Sequence, residues 1–361
     1  MRIVVFGLTI TSAWGNGHAT LWRALCRALA RRGHHVTFFE RDVPYYADTR
    51  DLQPMSGLET VLYTDWNTVR SRAASAMQGA DLAMVTSYCP DGVAASALVL
   101  DSAAKVRSFY DLDTPVTLDR LAAGERPDYL PPEGLGGFDL VLSYTGGAAL
   151  ERLRSELGAR LVAPLYGSVD PEAHRPVPPD PRLRADLSYL GTYASDRQTA
   201  LERFLVVPAR TLPTRRFVIG GALYPPEFPW AENIWFLRHT PPADHPAFFA
   251  SSRLTLNITR RAMAAMGWCP SGRLFEAAAC GAPILTDRWE GLEEFYLPGR
   301  ELLVAGNTDD AIAAISLTDG ELRRIAEAGR ARTLAEHTAD HRVVALEDAV
   351  QAVMAPATTG D

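Results

Sequence analysis

A segment from Cys269 to Asp287 combines a loop, a short helix and a strand around two charged residues. Ser271 is a good N-cap, Gly281 suits the left-handed position after a helix, and Pro283 prevents the helix from continuing. The residues between the cap and Gly281 are otherwise small or apolar. The pattern therefore predicts a short, buried helix.

Arg273 and Glu276 are the charged residues of this predicted helix, and their spacing places them on one face near its start. The unpaired backbone N–H groups from Ser271 through Gly272, together with a guanidinium, suit phosphate oxygens. A carboxylate one turn further along can accept hydrogen bonds from two hydroxyls, as a ribose presents them. The alternative is an Arg–Glu ion pair that closes the helix against a neighbour.

A second candidate site lies in the loop after the first predicted strand, where Gly15, Asn16, Gly17 and His18 follow one another. Glycines that lead into a helix let a ligand approach the backbone closely. His18 is a candidate proton acceptor or orienting donor, and alternatively it hydrogen-bonds only to its own loop. Thr20 stands where a dinucleotide fingerprint requires its third glycine, which disfavours an NAD-dependent oxidoreductase.

Two further carboxylates, Asp111 and Asp113, follow a predicted strand over 105–110. An Asp-x-Asp pair can hold a divalent metal, or it can cap a loop. A carboxylate at the carboxyl end of a parallel strand faces the ligand crevice, so Asp113 is also a candidate general base. We favour the base and expect no metal.

Strands and helices alternate along the whole chain, which predicts an α/β fold with two Rossmann-like domains facing a cleft. We assign residues 1–166 to the first domain and 187–335 to the second. Residues 167–186, rich in Pro, Asp and Arg, form the predicted linker. Residues 336–361 form a C-terminal helix and a tail, the helical pattern running from Glu321 to Met354 and the tail from Ala355 to Asp361.

The composition narrows the class of protein further. The formal charge of −7 argues against a surface that binds nucleic acid, and Lys105 is the only lysine, so a phosphate site must use arginine or backbone. The four cysteines have no CxxC spacing and indicate reduced core thiols. The chain enters a strand at once and has no apolar run near the ~20 residues of a membrane span. We therefore expect a cytoplasmic protein without a transmembrane segment.

The segment from Arg273 to Pro283, followed by Gly291 to Phe295 and Pro298 to Glu301, resembles the carboxy-terminal signature of two-Rossmann (GT-B) glycosyltransferases. The branch it resembles is that of the spore-coat-maturation-like enzymes, whose core reads R-x-F-E-A-x-A-x-G. The resemblance covers about residues 187 to 335. In the first domain, the loop of Gly15 to His18 is similar to the glycine-rich acceptor-side loop of the family.

The resemblance implies roles for individual residues. Glu276 would bind the ribose of a nucleotide-sugar, and Arg197 with Arg273 would neutralise its diphosphate. Glu293 or Glu294 matches a later glutamate of the family. The wider retaining families carry another glutamate at the position of Trp268. Because this chain lacks that glutamate, the resemblance does not determine how the donor sugar is held, nor whether the reaction retains or inverts its configuration.

The resemblance thus implies a metal-independent glycosyltransferase that uses a nucleotide-diphosphate sugar as substrate and needs no cofactor. The acceptor and the oligomeric state do not follow from the sequence. If the reaction inverts configuration, Asp113 or His18 would take the acceptor proton. Alternatives are an epimerase of the same fold, a non-catalytic nucleotide-sugar sensor, and the disfavoured oxidoreductase.

Overall fold

The computed structural model describes residues 1–355 and divides into two compact units. The first unit comprises Met1–Tyr166 and the chain from Ala339 onward, and the second comprises Gly167–Thr338. The predicted linker, residues 167–186, is part of the second unit. Of the predicted tail, all residues after Ala355 lie outside the described part of the chain.

The first unit is built on a seven-stranded parallel sheet with the order β3-β2-β1-β4-β5-β6-β7. Its central strands are apolar runs buried on both faces, as expected for a parallel sheet covered by helices. The strands are β1 (Arg2–Gly7), β2 (His35–Arg41), β3 (Leu58–Tyr63), β4 (Leu82–Thr86), β5 (Val106–Asp111), β6 (Leu140–Ser143) and β7 (Val162–Pro164).

Helices follow most of these strands. They are α1 (His18–Arg31), α2 (Pro44–Ala47), α3 (Trp66–Met77), α4 (Gly92–Leu100), α5 (Thr114–Ala122) and α6 (Ala148–Leu157). The sequence analysis does not predict helix α5, which begins at Thr114 with Pro115 in its first turn. Proline is compatible with the first turn of a helix, where its missing N–H has no intrahelical partner.

The second unit repeats the architecture with a six-stranded parallel sheet in the order β10-β9-β8-β11-β12-β13. The strands are β8 (Leu187–Leu190), β9 (Phe217–Gly220), β10 (Ile234–Leu237), β11 (Thr255–Asn257), β12 (Ile284–Thr286) and β13 (Leu303–Val304). The predicted α/β class with two Rossmann-like domains is therefore confirmed.

The helices of the second unit surround this sheet. They are α7 (Gln198–Leu201), continued through a π-helical segment (Glu202–Val206) into α8 (Val207–Thr211), then α9 (His245–Ala250), α10 (Arg261–Met266), α11 (Gly272–Ala279), α12 (Thr308–Ser316) and α13 (Asp319–Glu336). Short 3-10 turns occur at Ser195–Arg197 and Leu292–Glu294.

The last described helix, α14 (Ala339–Met354), packs in the first unit. Its residues Val343, Leu346 and Val350 join the core that α1 faces, and Glu347 binds Arg32 through a bidentate ion pair. The prediction of one helical stretch from Glu321 to Met354 is wrong at residues 337–338. The buried ring of His337 there donates a hydrogen bond from Nε2 to the Phe295 carbonyl, 3.0 Å away.

No helix within residues 1–355 combines the length and hydrophobicity that a membrane span requires. All four cysteines are buried, and none forms a disulfide.

Candidate functional site

Helix α11 forms where the cap and stop residues predict it. The Oγ atom of Ser271 accepts a hydrogen bond of 3.3 Å from the backbone N–H of Arg273. Gly281 ends the helix with a φ of 76° and donates its N–H to the Ala278 carbonyl at 2.9 Å. Because the apolar residues of the helix are buried, its polar groups are confined to one side near the amino terminus.

The position of α11 in the sheet favours ligand binding. The strand order reverses between β8 and β11, and the crevice at such a switch point is where open α/β sheets bind ligands. Arg197 ends the turn that follows β8, while α11 lies in the connection from β11 to β12. An open cleft of about 660 Å³ follows the ends of β8, β11, β12 and β13, where Ser195, Thr259, Asp287 and Gly306 line it, but no residue of α11 does.

The charges of the two arginines both act on Tyr224. Burial raises the pKa of its phenol, and the positive charges of Arg197 and Arg273 both act in the opposite direction. Arg197 also donates from Nη1 to the Tyr189 hydroxyl at 2.9 Å. The two guanidinium groups are therefore near the same phenol, although they come from different segments.

Neither arginine forms an ion pair with a carboxylate within residues 1–355. The Nε atoms of Arg197 and Arg273 are both buried without a hydrogen-bond partner. The predicted alternative, an ion pair between Arg273 and Glu276, is therefore not formed. Burying positive charge without a counter-ion is unfavourable, so these groups are suited to a bound anion.

Glu276 projects from the same helix and is 12% exposed. Burial acts to raise the pKa of its carboxyl, but His174, His245 and Arg273 together hold that pKa below its usual value. Its Oε2 atom lies 4.0 Å from Nδ1 of His245. The carboxylate is thus ionised at neutral pH and accepts no hydrogen bond from the described residues, which leaves it available to hydroxyls of a ligand.

Trp268 stands where the resemblance places another glutamate. Its backbone adopts a φ of 43°, and its N–H donates to the Glu290 carbonyl at 2.7 Å. The indole Nε1 donates to Oε1 of Glu294 at 2.6 Å, whereas Glu293 pairs with Arg288 on the surface. Of the two candidate glutamates, Glu294 is thus the one joined to the loop before α11.

In the first unit, the glycine loop has clear internal structure. Gly15 has a φ of 68°, and a Cβ there would lie 2.8 Å from the Tyr45 hydroxyl. Asn16 donates to the carbonyls of Ser12 and Trp14 and accepts from the N–H of Ala19. Gly17 precedes α1 with an ordinary negative φ. Asn16 therefore holds the loop and the start of α1 in place.

His18 and Asp113, two separate candidates for the base, lie beside each other. Nε2 of His18 is 3.8 Å from Oδ2 of Asp113, and each side chain is 16% exposed. The other ring nitrogen of His18 is buried without a hydrogen-bond partner. The tertiary structure joins them because β1 and β5 both end at the same edge of a parallel sheet.

Asp111 is buried behind this pair. Its Oδ1 accepts the N–H of Asp113 at 3.1 Å, and burial raises the pKa of its carboxyl to about 6. Within the described chain, the group of His, Cys, Asp and Glu side chains close enough to hold a metal is instead His174, His245 and Glu276.

Sequence reasoning missed four residues around α11, namely His174, Tyr189, Tyr224 and His245. Tyr189 lies inside a strand, and Tyr224 lies in an irregular loop with no periodicity. His245 opens α9 after a proline pair, which is a recognisable helix start. His174 carries no local signal.

Residues 197–348 match a protein-family model described as glycosyl transferase-like. A search of curated proteins finds no match to the sequence. Among solved structures, the chain is similar to sucrose-phosphate synthase from Thermosynechococcus elongatus, at 15% identity and a TM-score of 0.70, with 98% of this chain and 99% of that chain covered.

Two further structures are similar over nearly their whole length. Anabaena HepE, solved with UDP and glucose, has 12% identity and a TM-score of 0.66, with 98% of this chain and 100% of that chain covered. An alpha-glucosyltransferase solved with UDP-glucose and DNA has 12% identity and a TM-score of 0.70, with 97% and 99% covered. These similarities establish the two-domain fold.

Residues 197–348 thus match a glycosyl transferase-like family, and the chain as a whole has the fold of GT-B glycosyltransferase structures. The glycosyl transferase-like match begins at Arg197 and includes α11 with Arg273 and Glu276. The predictions of the enzyme class and of the fold are thereby confirmed, while the roles of the individual site residues stay predictions.

Proposed function

We propose that this glycosyltransferase transfers a sugar from a UDP-linked donor that is bound by the second unit. In this proposal Arg197, Arg273 and the N-terminal N–H groups of α11 at Ser271 and Gly272 bind the diphosphate. Glu276 accepts the ribose hydroxyls. The observation that carries the proposal is the pair of partly buried guanidinium groups without carboxylate partners, beside an ionised carboxylate with no hydrogen-bond donor.

The nucleotide is proposed from the similar structures, which were solved with UDP or UDP-glucose. We also propose that the chain belongs to the spore-coat-maturation-like branch. In support, the segment that matches the R-x-F-E-A-x-A-x-G core of that branch forms α11, the helix of the proposed donor site. Trp268 and Glu294 lie beside that helix, and we assign them to the donor-sugar end of the site.

We further propose that transfer needs no Mg²⁺ or Mn²⁺. The leaving diphosphate develops negative charge, and two guanidinium groups with a helix N-terminus supply stabilisation of the kind that a metal ion supplies elsewhere. In the first unit, His18 takes the acceptor proton, and Asp113 orients its ring and stabilises the imidazolium.

The net charge of −7 supports an acceptor other than nucleic acid, although one similar enzyme was solved with DNA. Buried cysteines without disulfides support a cytoplasmic location.

A thermal-shift screen with UDP, GDP and dTDP sugars tests the nucleotide, because a bound ligand raises the apparent melting temperature. Calorimetry then measures UDP affinity for wild type and Glu276→Ala. We expect a loss of more than about tenfold, or about 1.4 kcal/mol, with an unchanged melting curve. Glu327→Ala, which alters an exposed residue of α13, is the control.

Unchanged UDP affinity in Glu276→Ala would refute the donor site. If the protein binds UDP but releases no UDP from a UDP-sugar with any acceptor that is offered, the alternative of a non-catalytic nucleotide-sugar sensor is favoured. Activity that a chelator abolishes and Mg²⁺ or Mn²⁺ restores would refute metal independence.

A further inference from the structure

Three side chains of the second unit converge behind α11. The Nε2 or Nδ1 atoms of His174 and His245 and a carboxylate oxygen of Glu276 all lie within 4.8 Å of one another. They come from three separate segments: the chain before β8, the start of α9, and α11. His174 is only 4% exposed, so the group is largely shielded from solvent.

The hydrogen bonds define what these atoms can accept. The Nε2 atom of His245 lies 3.2 Å from the Thr240 carbonyl oxygen, which can only accept, so Nε2 carries the proton. In the neutral ring, Nδ1 of His245 therefore presents a lone pair, and this atom lies 4.0 Å from the negatively charged carboxylate of Glu276.

In each histidine, one ring nitrogen lacks a hydrogen-bond partner. Nδ1 of His245 and Nε2 of His174 are both buried without a hydrogen-bond partner. A nitrogen lone pair and a carboxylate that face each other away from water repel each other. The arrangement is unfavourable unless a positively charged group binds both of them. A cation placed among the three side chains would satisfy them together.

We propose that His174, His245 and Glu276 form a binding site for a divalent transition metal of the zinc class. Two imidazoles and one carboxylate are a ligand set that suits Zn²⁺, whereas Mg²⁺ prefers oxygen ligands alone. An ion at the centre of the three atoms would lie within about 2.8 Å of each, against about 2.0–2.2 Å in zinc sites, so modest side-chain closure completes the coordination. Arg273, whose charge acts on both Glu276 and His245, opposes the cation and weakens its affinity.

This site has a consequence that rests on the proposed function, because Glu276 is also the proposed ribose acceptor. A metal ion that takes the carboxylate competes with the ribose hydroxyls. By thermodynamic linkage, UDP then weakens metal binding by the same factor by which the metal weakens UDP binding. The metal is therefore an inhibitor of donor binding and not a participant in transfer.

Zinc titration of the metal-free, full-length protein by calorimetry tests the site, with Co²⁺ absorption as an independent probe of the ligands. We expect one Zn²⁺ per chain and a loss of affinity of more than about tenfold in both His174→Gln and His245→Gln. His35→Gln removes an exposed histidine of the first unit and should keep wild-type affinity. Melting curves establish that each variant is folded. Equal zinc affinity in wild type and in the folded His174→Gln and His245→Gln variants would overturn the proposal.

UDP titrations with and without Zn²⁺ separate this inference from the proposed function. We expect Zn²⁺ to lower UDP affinity in wild type. Because UDP itself binds Zn²⁺ through its diphosphate, the same titration of His245→Gln measures that contribution, which is then subtracted. If UDP does not bind the zinc-free protein, the proposed function fails, while the metal titration still decides the zinc site. If both ligands bind wild type independently, the competition at Glu276 is refuted.

Discussion

The indole Nε1 of Trp268 donates a hydrogen bond of 2.6 Å to Oε1 of Glu294, across the loop that leads into α11. Behind the indole lies Gly291, whose φ is 85° and whose added Cβ would lie 2.5 Å from the ring. A side chain at position 291 would therefore both strain the backbone and clash with the indole. This relationship holds the loop before the proposed donor site.

Gly291→Ala should therefore destabilise the protein by more than the strain of placing an alanine in a left-handed conformation. We expect a loss of about 3 kcal/mol or more in the free energy of unfolding, from left-handed strain plus displacement of the indole. Gly299→Ala is the matched control, since Gly299 has a φ of 77° and nothing within 4 Å of an added Cβ. It should lose only about 1 kcal/mol. Equal losses in urea unfolding would show that the indole does not restrict this position.

Arg273→Gln should weaken UDP binding by about tenfold or more, because it removes a charged donor to the diphosphate. Without ligand, the variant should be as stable as wild type or more stable, since a poorly compensated positive charge has been removed. Calorimetry and melting curves measure the two effects. Arg182→Gln, at an exposed residue paired with Asp180, should leave UDP affinity unchanged. A variant less stable than wild type would indicate a structural role for the guanidinium.

Asp111→Asn should change how stability depends on pH. Burial raises the folded-state pKa to about 6, above the unfolded value, so the folded state binds the extra proton. The resulting stabilisation is complete below about pH 4 and is lost as the pH rises to about 6, by up to about 3 kcal/mol. Asn keeps the oxygen that accepts the Asp113 N–H, so the variant should lose this dependence and exceed wild type at pH 7.

Urea unfolding across this pH range measures the difference between wild type and Asp111→Asn. Asp119→Asn, at an exposed residue of α5, should follow the wild-type curve. Parallel curves for wild type and Asp111→Asn would show that folding does not raise the pKa of Asp111.

His18→Gln should leave UDP affinity unchanged and reduce acceptor-dependent UDP release by about 100-fold, because it removes the proposed base. Asp113→Asn should reduce release less, since the imidazole remains. His35→Gln serves again as control. Equal rates in His18→Gln and wild type would assign the proton to another acceptor.

Local sequence was sufficient for the elements that local signals define. Ser271, Gly281 and Pro283 predict α11 because caps, left-handed glycines and proline act within one turn. The apolar runs of the parallel strands predict two sheets for the same reason. The helix break before α14 was missed because it depends on a distant contact, the bond from His337 to the Phe295 carbonyl.

The sequence by itself determined the α/β class, the helix that carries Arg273 and Glu276, and the glycosyltransferase signature, since each depends on residues close together in the chain. Only the tertiary structure decided that these two side chains form no ion pair, that His18 meets Asp113, and that two distant histidines face Glu276. Spacing along a helix determines the face from which a side chain projects. The partner of that side chain depends on the strands and helices that pack against this face, and these come from distant parts of the chain.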